Sequence, residues 1–418
     1  MRISSFQFIQ RNLDNISARS SEANRQLGQM SSGKRVEYAS DDPVAANGIF
    51  NYKQELTKLQ QYQTNITLAE NRLRREESGL TSAENITQQV KEIMLKANSG
   101  AISQQERDAY KNELQSRFDE MLDIANSKDE FGQAIFGGFQ TDSDPFTRQP
   151  NGDIKYSGDS GQRQIVIGNS VKVALNHDGE LVFGGVPNPR GDFTVKYNLG
   201  DESRTDQVRV EGASISDRGA FTDAHPYQIE FVERTPPELG KVSYMINKTD
   251  ANGNTIPALP AALPYTAGDI MTVDGVDILI KGDAKVGDEI KLSSSVKDGT
   301  GHDELGVFDI LNRAKSWLES DGHNANGQGE YGDILDELDA MGVHFTRVRA
   351  DTGNRMQRLD NQAETHADMT LTLNKLRSGM EDLDYAKATG EFSQTMVALQ
   401  ATQTMFGKIQ NMSLFNYI

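Results

Sequence analysis

The sequence predicts an α+β multidomain protein. A terminal α-helical coiled coil and an elongated helical bundle are both built from the two chain ends, and an antiparallel β domain is inserted between them. The first helix carries a heptad, and helical periodicity continues to about residue 126. Ten of the 11 prolines lie between Pro145 and Pro264, and proline interrupts helices. Within that interval apolar and polar residues alternate, which is the period of a strand.

The first helix is predicted from small and apolar residues that recur at steps of four and three, as in a coiled coil. These positions are Ile9, Leu13, Ile16, Ser20, Ala23, Leu27 and Met30. Gly33 follows as a C-terminal stop. Asp42, followed by Pro43, then predicts the start of a long helix that reaches about residue 97.

Ser103 and Glu106 form a capping-box pattern at the start of a third helix, which ends near residue 126. After the proline-rich interval we predict a short helix over 303–320, a loop over 321–330 and a second long helix over 331–384. A last amphipathic stretch follows Gly390, and its apolar residues are Phe392, Met396, Leu399, Phe406 and Ile409.

Two Asp-Gly pairs lie between alternating runs, at residues 178–179 and 274–275, and each predicts a β-hairpin. Together the patterns divide the chain into three parts. Terminal coiled-coil segments cover 1–40 and 385–418. A helical bundle covers 41–140 and 303–384, and the inserted β domain covers 141–302.

Composition narrows the classes of function. The 418 residues carry 43 basic and 61 acidic side chains, a formal net charge of −18, which argues against a nucleic-acid-binding protein. No cysteine is present, so disulfides, thiolate catalysis and cysteine-ligated zinc are excluded. The apolar runs are too short to predict a membrane span, and residues 1–15 lack the apolar stretch of a cleavable signal peptide.

One motif copies the serine-protease signature Gly-Asp-Ser-Gly, with Ser160 as the candidate nucleophile. Enzymes with that signature place their histidine and aspartate before the serine in the chain. Here the first histidine is His177, which follows it. We therefore expect the motif to be a turn between strands.

Three further patterns are incomplete. Gly327, Gly329 and Gly332 match a dinucleotide fingerprint, but a polar loop precedes them where a strand is needed. Asp250, Asn252 and Asn254 start like a calcium loop that lacks its glycine and its final glutamate. Asp41 and Asp42 could be paired acid–base carboxylates, yet helix capping already accounts for them. We expect no catalytic, cofactor-binding or metal-binding residues, and no enzyme.

The two terminal heptads have similar lengths and can pair with each other. They bury too little apolar surface to offset the entropy of ordering both segments, so we expect them to become ordered when many copies pack together. The predicted assembly interface comprises Ile9, Leu13, Ile16, Ala23, Leu27, Met30, Phe392, Met396, Leu399, Phe406 and Ile409.

Several segments resemble the flagellin superfamily. Residues 30–36 (MSSGKRV) and 39–46 (ASDDPVAA) are similar to its N-terminal segment, and residues 377–386 (RSGMEDLDYA) to its C-terminal one. Within the superfamily, three segments resemble the members that join the hook to the filament: residues 135–146 (IFGGFQTDSDPF), 156–163 (YSGDSGQR) and 412–415 (MSLF). The resemblance covers about 1–185 and 303–418.

The resemblance implies a structural protein of the bacterial flagellum that is exported unfolded through the flagellar type III apparatus. It implies inner terminal helices, a surrounding helical domain and an outward β insert. The implied partners are hook-associated protein 1 (FlgK), flagellin, copies of the chain in a junction ring, and a FlgN-type export chaperone on the C-terminal helix. Neither a cofactor, a nucleic acid nor membrane insertion is implied.

Three alternatives stay open at this point. A filament-forming flagellin would have the same architecture but would polymerise by itself. A secreted hydrolase would use Ser160. A cytosolic coiled-coil scaffold would not be exported in a flagellated strain.

Overall fold

The computed structural model describes residues 2–99, 102–200, 208–221, 226–234, 241–249, 254–293, 304–320 and 325–411. In these ranges the helices are α1 (Arg2–Ser32), α2 (Pro43–Ala97), α3 (Gln104–Ala125), α4 (Gly179–Gly184), α5 (Val307–Glu319), α6 (Ala325–Glu381) and α7 (Tyr385–Asn411). Helices thus come from both chain ends, and an antiparallel β region is inserted between them, which confirms the predicted fold class.

The strands occupy the interval that the prolines mark. They are β1 (Phe146–Arg148), β2 (Ile154–Tyr156), β3 (Gln164–Val166), β4 (Lys172–Ala174), β5 (Val186–Pro187), β6 (Thr194–Asn198), β7 (Arg209–Ile215), β8 (Tyr227–Glu233), β9 (Val242–Thr249), β10 (Thr255–Pro257), β11 (Leu263–Pro264), β12 (Ile270–Val273), β13 (Val276–Lys281), β14 (Glu289–Ser293) and β15 (Glu304–Leu305).

The predicted helix boundaries near the N-terminus are confirmed. Gly33 follows α1 with a φ of 71°, a conformation that glycine adopts without steric cost. At the start of α2 the Asp42 carboxylate accepts a hydrogen bond from the Ala45 amide at 3.0 Å. Before α3, Ser103 and Glu106 form both bonds of a capping box.

One predicted hairpin was wrong, and two predicted helices begin at other residues than expected. Residues 178–179 do not form a hairpin turn, because Asp178 caps α4 and accepts a bond from the Leu181 amide at 2.8 Å. The short helix α5 begins at Val307, after strand β15. The long helix α6 begins at Ala325 inside the predicted loop, where the Trp317 indole donates to the Gly327 carbonyl at 2.7 Å.

One hydrophobic core, here called the helical core, contains residues of the five helices from α2 to α6 and of strands β1, β5 and β15. Its members include Trp317, Phe136, Phe183 and Phe345, each at most 1% exposed. Phe183 packs edge-on against Phe136 with ring centroids 5.2 Å apart. The beginning of the β-rich interval therefore packs with the helices.

A second core, here called the β body, lies between two antiparallel sheets. The first has the order β10-β9-β8-β14-β6, with β11 also pairing with β9, and the second has the order β12-β13-β7. Inward residues such as Ile229, Ile278 and Ile290 are fully buried. The predicted hairpin at 274–275 is confirmed, since Asp274 and Gly275 both have positive φ and link β12 to β13.

Buried charges connect the β-rich region to α6. Arg190 is 3% exposed, and its guanidinium lies 2.8 Å from Asp333 and 3.1 Å from Glu337. Burial raises the pKa of both carboxyl groups, although the arginines around them act in the opposite direction. Removing one partner of a buried ion pair is strongly destabilising, so this pair fixes the position of Arg190 against α6.

The chain divides into two compact units. One comprises Met1–Ile66, Ile167–Asn169 and Asp360–Ile418, and the other comprises Thr67–Val166 and Ser170–Leu359. Helices α2 and α6 contribute residues to both. The three-part division predicted from the sequence, with boundaries at 40, 140, 302 and 384, stays a prediction.

Candidate functional site

The first and last helices pack against each other. Within the first unit, α1 and α7 are in contact along their lengths, and we call them the terminal helix pair. The Tyr385 hydroxyl, at the start of α7, donates to the Met30 carbonyl near the end of α1 at 3.0 Å. Residues from opposite ends of the chain are thereby brought together, as the two heptads predict.

The buried residues between these helices are small or polar. Their buried residues in the described part of the chain are Ala23 and Gln26 on α1, with Ala388 and Thr395 on α7. On α7 the covered positions form a heptad: Ala388, Phe392, Thr395, Leu399, Thr402 and Phe406. Such a contact buries little apolar surface, so it stabilises the pair weakly.

The predicted assembly residues fall into two groups. Ala23 is buried, and five others are partly covered: Ile16, Met30, Phe392, Leu399 and Phe406. By contrast Ile9, Leu13, Leu27 and Met396 are 37%, 45%, 55% and 44% exposed. The side chain of Ile409 lies outside the described residues. The structure brings the two helices together but leaves an apolar row uncovered.

The uncovered apolar row is wider than the heptads predict. Val397 and Met405 on α7 are each 67% exposed. We define the exposed row as Ile9, Leu13, Leu27, Met396, Val397 and Met405. A contiguous apolar patch on a surface is typical of a site that another protein covers, and these exposed side chains are the candidates for such a patch.

A cluster of charged residues lies where α1 ends and α7 begins. Glu381, at the end of α6, is 6% exposed and lies 3.0 Å from Lys34, 2.9 Å from Lys53 and 3.6 Å from Arg377. The Arg35 amide also donates to the Glu381 carbonyl at 2.7 Å. We call these five residues the corner cluster, because they tie the link after α1 to the link before α7.

The corner cluster favours an ionised carboxylate at its centre. Burial by itself would raise the pKa of Glu381, but the hydrogen bonds from Lys53 and Lys34 outweigh burial and lower it. A small apolar group of Val36, Ala45 and Ile49 packs beside the cluster. Both links therefore have fixed positions within the first unit.

The candidate nucleophile Ser160 lies in a bend between β2 and β3, and its side chain is exposed. The bend is held by Asp159, whose carboxylate accepts bonds from the Phe139 and Gly161 amides at 2.9 and 2.8 Å. The ring of His177 is bonded to carboxylates of α2 and α6. The geometry gives Ser160 no base among the described residues.

The other candidate motifs have structural explanations. Gly327, Gly329 and Gly332 lie inside α6 and form no phosphate-binding loop. The Asp41 carboxylate accepts bonds from the Glu37 and Tyr38 amides at 3.1 and 2.9 Å, so it orders the link before α2.

The calcium-like pattern begins at residues 250–253, which lie outside the described residues. In the part of the chain that the structure describes, no group of three or more His, Asp and Glu side chains could hold a metal ion. Nor does any helix in that part have the length and apolarity to cross a membrane.

Two family profiles match the helical ends of the chain. The bacterial flagellin N-terminal helical region matches residues 3–141, and the bacterial flagellin C-terminal helical region matches residues 335–418. Together they cover more than half of the sequence. The chain belongs to the flagellin superfamily. The superfamily predicted from residues 30–46 and 377–386 is thus confirmed.

The curated relatives sharpen the comparison. Flagellar hook-associated protein 3 of Escherichia coli (strain K12) is 30% identical over 186 residues, which are 44% of this chain and 58% of that protein. The protein of the same name from Salmonella typhimurium (strain LT2) is 30% identical over 203 residues, 47% and 62% of the two chains. This chain therefore spans about three-fifths of the length of its curated relatives.

A solved structure extends the similarity to most of the fold. The crystal structure of flagellar hook-associated protein-3 from Legionella pneumophila has a TM-score of 0.64 and 26% identity. The match covers 79% of this chain and 99% of that one. The similarity supports the resemblance drawn from residues 135–146 and 156–163. The third segment used for it, residues 412–415, lies outside the described residues.

Sequence reasoning missed the polar residues of the site. Gln26 and Thr395 interrupt the apolar periodicity, so the heptad gave no reason to place them in the contact. Glu381 was part of a recognised segment, but its three cationic partners come from α2, α6 and the link before α2. Only the fold brings them together.

Proposed function

We propose that this chain is a structural component of the bacterial flagellum, a junction protein that links the hook to the filament and provides the surface on which flagellin assembles. Two relatives at 30% identity bear the name flagellar hook-associated protein 3. The observation on the chain itself that supports the proposal is the exposed row along the terminal helix pair, because a protein that acted alone would have no use for it.

The proposed assembly interface combines residues of the exposed row with residues of the contact between α1 and α7. Its residues are Ile9, Leu13, Ile16, Ala23, Leu27, Met30, Phe392, Met396, Leu399, Phe406 and Ile409. In our proposal the helices of neighbouring copies cover the exposed members, and each added copy stabilises the pair. The contact within one copy supports the proposal that assembly orders the terminal helix pair. Its buried residues are small or polar, so it stabilises the isolated pair only weakly.

We propose the partners that the family resemblance implies. They are hook-associated protein 1 on the hook side, flagellin on the filament side and further copies of the chain in a ring. Before assembly, a FlgN-type chaperone covers α7 and the flagellar type III apparatus exports the chain, so the mature location is the hook–filament junction outside the cell. The chain has no catalytic role in this proposal.

The first test is sedimentation of the purified chain under conditions in which flagellin polymerises, with and without filament seeds. A junction protein stays monomeric, or adds a short layer to a seed and then stops. Growth of long filaments would contradict the proposal and identify a filament-forming flagellin instead.

Variants in α7 test the interface. Met396→Asp and Leu399→Asp each place a charge in the proposed interface and are expected to abolish binding to seeds. Gln400→Asp adds the same charge at an exposed neighbouring position and is the matched control. The Tm followed by Trp317 fluorescence should not change, since Trp317 lies in the helical core. A large loss of Tm would show that these side chains belong to the monomer fold.

A further inference from the structure

A buried histidine outside the assembly interface lies between two helices of the second unit. His177 follows β4, and its side chain is 3% exposed. Its Nδ1 lies 2.6 Å from Oε1 of Glu76 on α2, and its Nε2 lies 2.8 Å from Oδ2 of Asp351 on α6. The His177 backbone N–H donates to the same Glu76 oxygen at 3.1 Å. One short segment is thus bound to both helices.

Arg355, one turn after Asp351 on α6, completes the cluster. One of its nitrogens, Nη2, lies 2.8 Å from the Asp351 carboxylate and 2.8 Å from Nε2 of His177. The other, Nη1, donates to the Asn176 carbonyl at 3.1 Å. Among the described residues, the charged groups that contact the ring are therefore Glu76 from α2 and Asp351 and Arg355 from α6. We call residues 175–178 the strap.

The hydrogen bonds alone permit two protonation states. A neutral ring donates from Nδ1 to Glu76 and accepts from Arg355 at Nε2, but its Nε2 lone pair then faces the Asp351 oxygen. A charged ring donates to both carboxylates, but its Nε2–H then faces the Arg355 N–H. Each state contains one unfavourable contact at 2.8 Å.

The net charge of the cluster favours one of the two protonation states of His177. Glu76 is fully buried, and one of its oxygens has no hydrogen-bond partner. Arg355 contacts Asp351, so a neutral histidine would leave the Glu76 carboxylate without a counter-charge, and a buried carboxylate without one is costly. A charged histidine gives two positive and two negative groups. We propose that His177 is a buried imidazolium and that its proton is a pH-sensitive latch that fastens the strap between α2 and α6.

The direction of the pKa agrees with this geometry. Burial by itself lowers the pKa of the His177 imidazole and Arg355 lowers it further, but Glu76 and Asp351 outweigh both and raise it above its ordinary value. A raised pKa in the folded state means that the latch contributes fully below the unfolded value of about 6.5. Its contribution is lost as the pH rises through the folded value, with the folding equilibrium constant changing up to about tenfold per pH unit.

Nitrogen NMR of the full chain labelled at its histidines tests the charge directly. Both ring nitrogens of His177 should be protonated at pH 6, and its titration midpoint should lie above the ordinary value of about 6.5. His177→Gln assigns the signal by removing it. A neutral ring already at pH 6 would overturn the proposal.

Two variants test the counter-charges. Glu76→Gln should lower the His177 midpoint most, and Asp351→Asn should lower it less, because Asp351 is 52% exposed. If Glu76→Gln does not fold, Asp351→Asn still tests the proposal. Glu84→Gln is the matched control, since Glu84 of α2 pairs with Arg349 of α6 at 2.6 Å away from the ring. Unchanged midpoints in both test variants would overturn the proposal.

Urea unfolding between pH 6 and pH 9, followed by Trp317 fluorescence, tests the latch. The wild-type midpoint should fall as the pH rises, and His177→Gln should lose that part of the fall. An identical pH profile in the variant would show that His177 is no latch.

Discussion

The helical core and the terminal helix pair are built from the same kind of periodic sequence, yet they bury it differently. Around Trp317, residues of five helices and three strands are almost fully covered. Between α1 and α7, only small or polar residues such as Ala23 and Thr395 are buried, and Leu13, Leu27 and Met396 are largely exposed. Because burial of apolar area stabilises a fold, we expect the first region to be stable by itself, and in our proposal the second is stabilised by a partner.

This difference gives the same heptad two meanings. In the parts of α2 and α6 that belong to the second unit, periodic residues such as Leu73, Leu80 and Leu338 are at most 1% exposed, so there the period marks a core. In α1 and α7, the period marks a surface that a single copy does not cover. Sequence periodicity therefore predicts the helix, whereas burial shows whether its apolar side chains are covered within one copy.

The largest expected effect comes from truncation in the helical core. Phe183 is 1% exposed and packs on Phe136, Phe146 and Phe308. Phe183→Ala should lower the free energy of unfolding by about 3–5 kcal/mol, because it removes buried area and leaves a cavity. Urea unfolding followed by Trp317 fluorescence measures it.

The terminal helix pair provides the matched truncation. Leu27→Ala, at a side chain that is 55% exposed, should change the same unfolding curve by less than about 0.5 kcal/mol. Equal losses in the two variants would remove the distinction between the regions.

A smaller effect is expected at the corner cluster. Glu381→Gln removes the carboxylate that pairs with Lys34, Lys53 and Arg377. These cations are 36–48% exposed, so solvent screens them and the loss should be about 1–2 kcal/mol. Local opening would make tryptic cleavage after Lys34 and Arg35 roughly 5–30 times faster. Glu55→Gln, in an exposed pair with Lys58, is the control and should leave cleavage unchanged.

The same carboxylate predicts an acid dependence. The pKa of Glu381 is lowered in the folded chain, so its contribution is present above the ordinary carboxyl value of about 4.3 and is lost as the pH falls through the folded value. The Arg35 amide donates to the Glu381 carbonyl, and the Leu383 amide donates to the Gly33 carbonyl at 2.9 Å. Hydrogen exchange of these two amides, corrected for intrinsic rates, should accelerate in acid. Glu381→Gln should lack this part of the acceleration, and an identical acceleration in the variant would refute the assignment.

A loss of stability smaller than that of Glu381→Gln is expected at a helix cap of the helical core. Ser103→Ala removes the hydroxyl that accepts from the Glu106 amide at 3.3 Å, and should cost about 1 kcal/mol of unfolding free energy. Gln104→Ala, at the next and exposed position, should be close to neutral. A loss for Ser103→Ala as large as that of Phe183→Ala would mean that α3 depends on its cap more than on its core contacts.

The sequence was informative where a local rule sufficed. Gly33, Asp42 and the Ser103 box set helix boundaries because each acts on its own backbone neighbours, and residues 274–275 turn a hairpin for the same reason. Residues 178–179 carry the same Asp-Gly signal, but there the aspartate caps a helix. The two Asp-Gly pairs differ in the residues that pack around them, and a rule based on local sequence does not include those residues.

The rest depended on contacts between distant parts of the chain. The start of α6 at Ala325 is accompanied by the bond from Trp317 to the Gly327 carbonyl. The charged partners of His177 and the two lysine partners of Glu381 lie far from them in the sequence. The family resemblance indicated which ends of the chain act together, but Gln26 and Thr395 became visible as contact residues only once α1 and α7 were placed side by side.

The most direct measurement of the central claim is amide hydrogen exchange of the free chain and of the chain bound to filament seeds, read separately for the two regions. We predict fast exchange in α1 and α7 of the free chain, slow exchange in the helical core, and strong new protection of α1 and α7 on the seed. If α1 and α7 of the free chain were already as protected as the helical core, the terminal helix pair would be part of the monomer fold and its ordering would not depend on assembly.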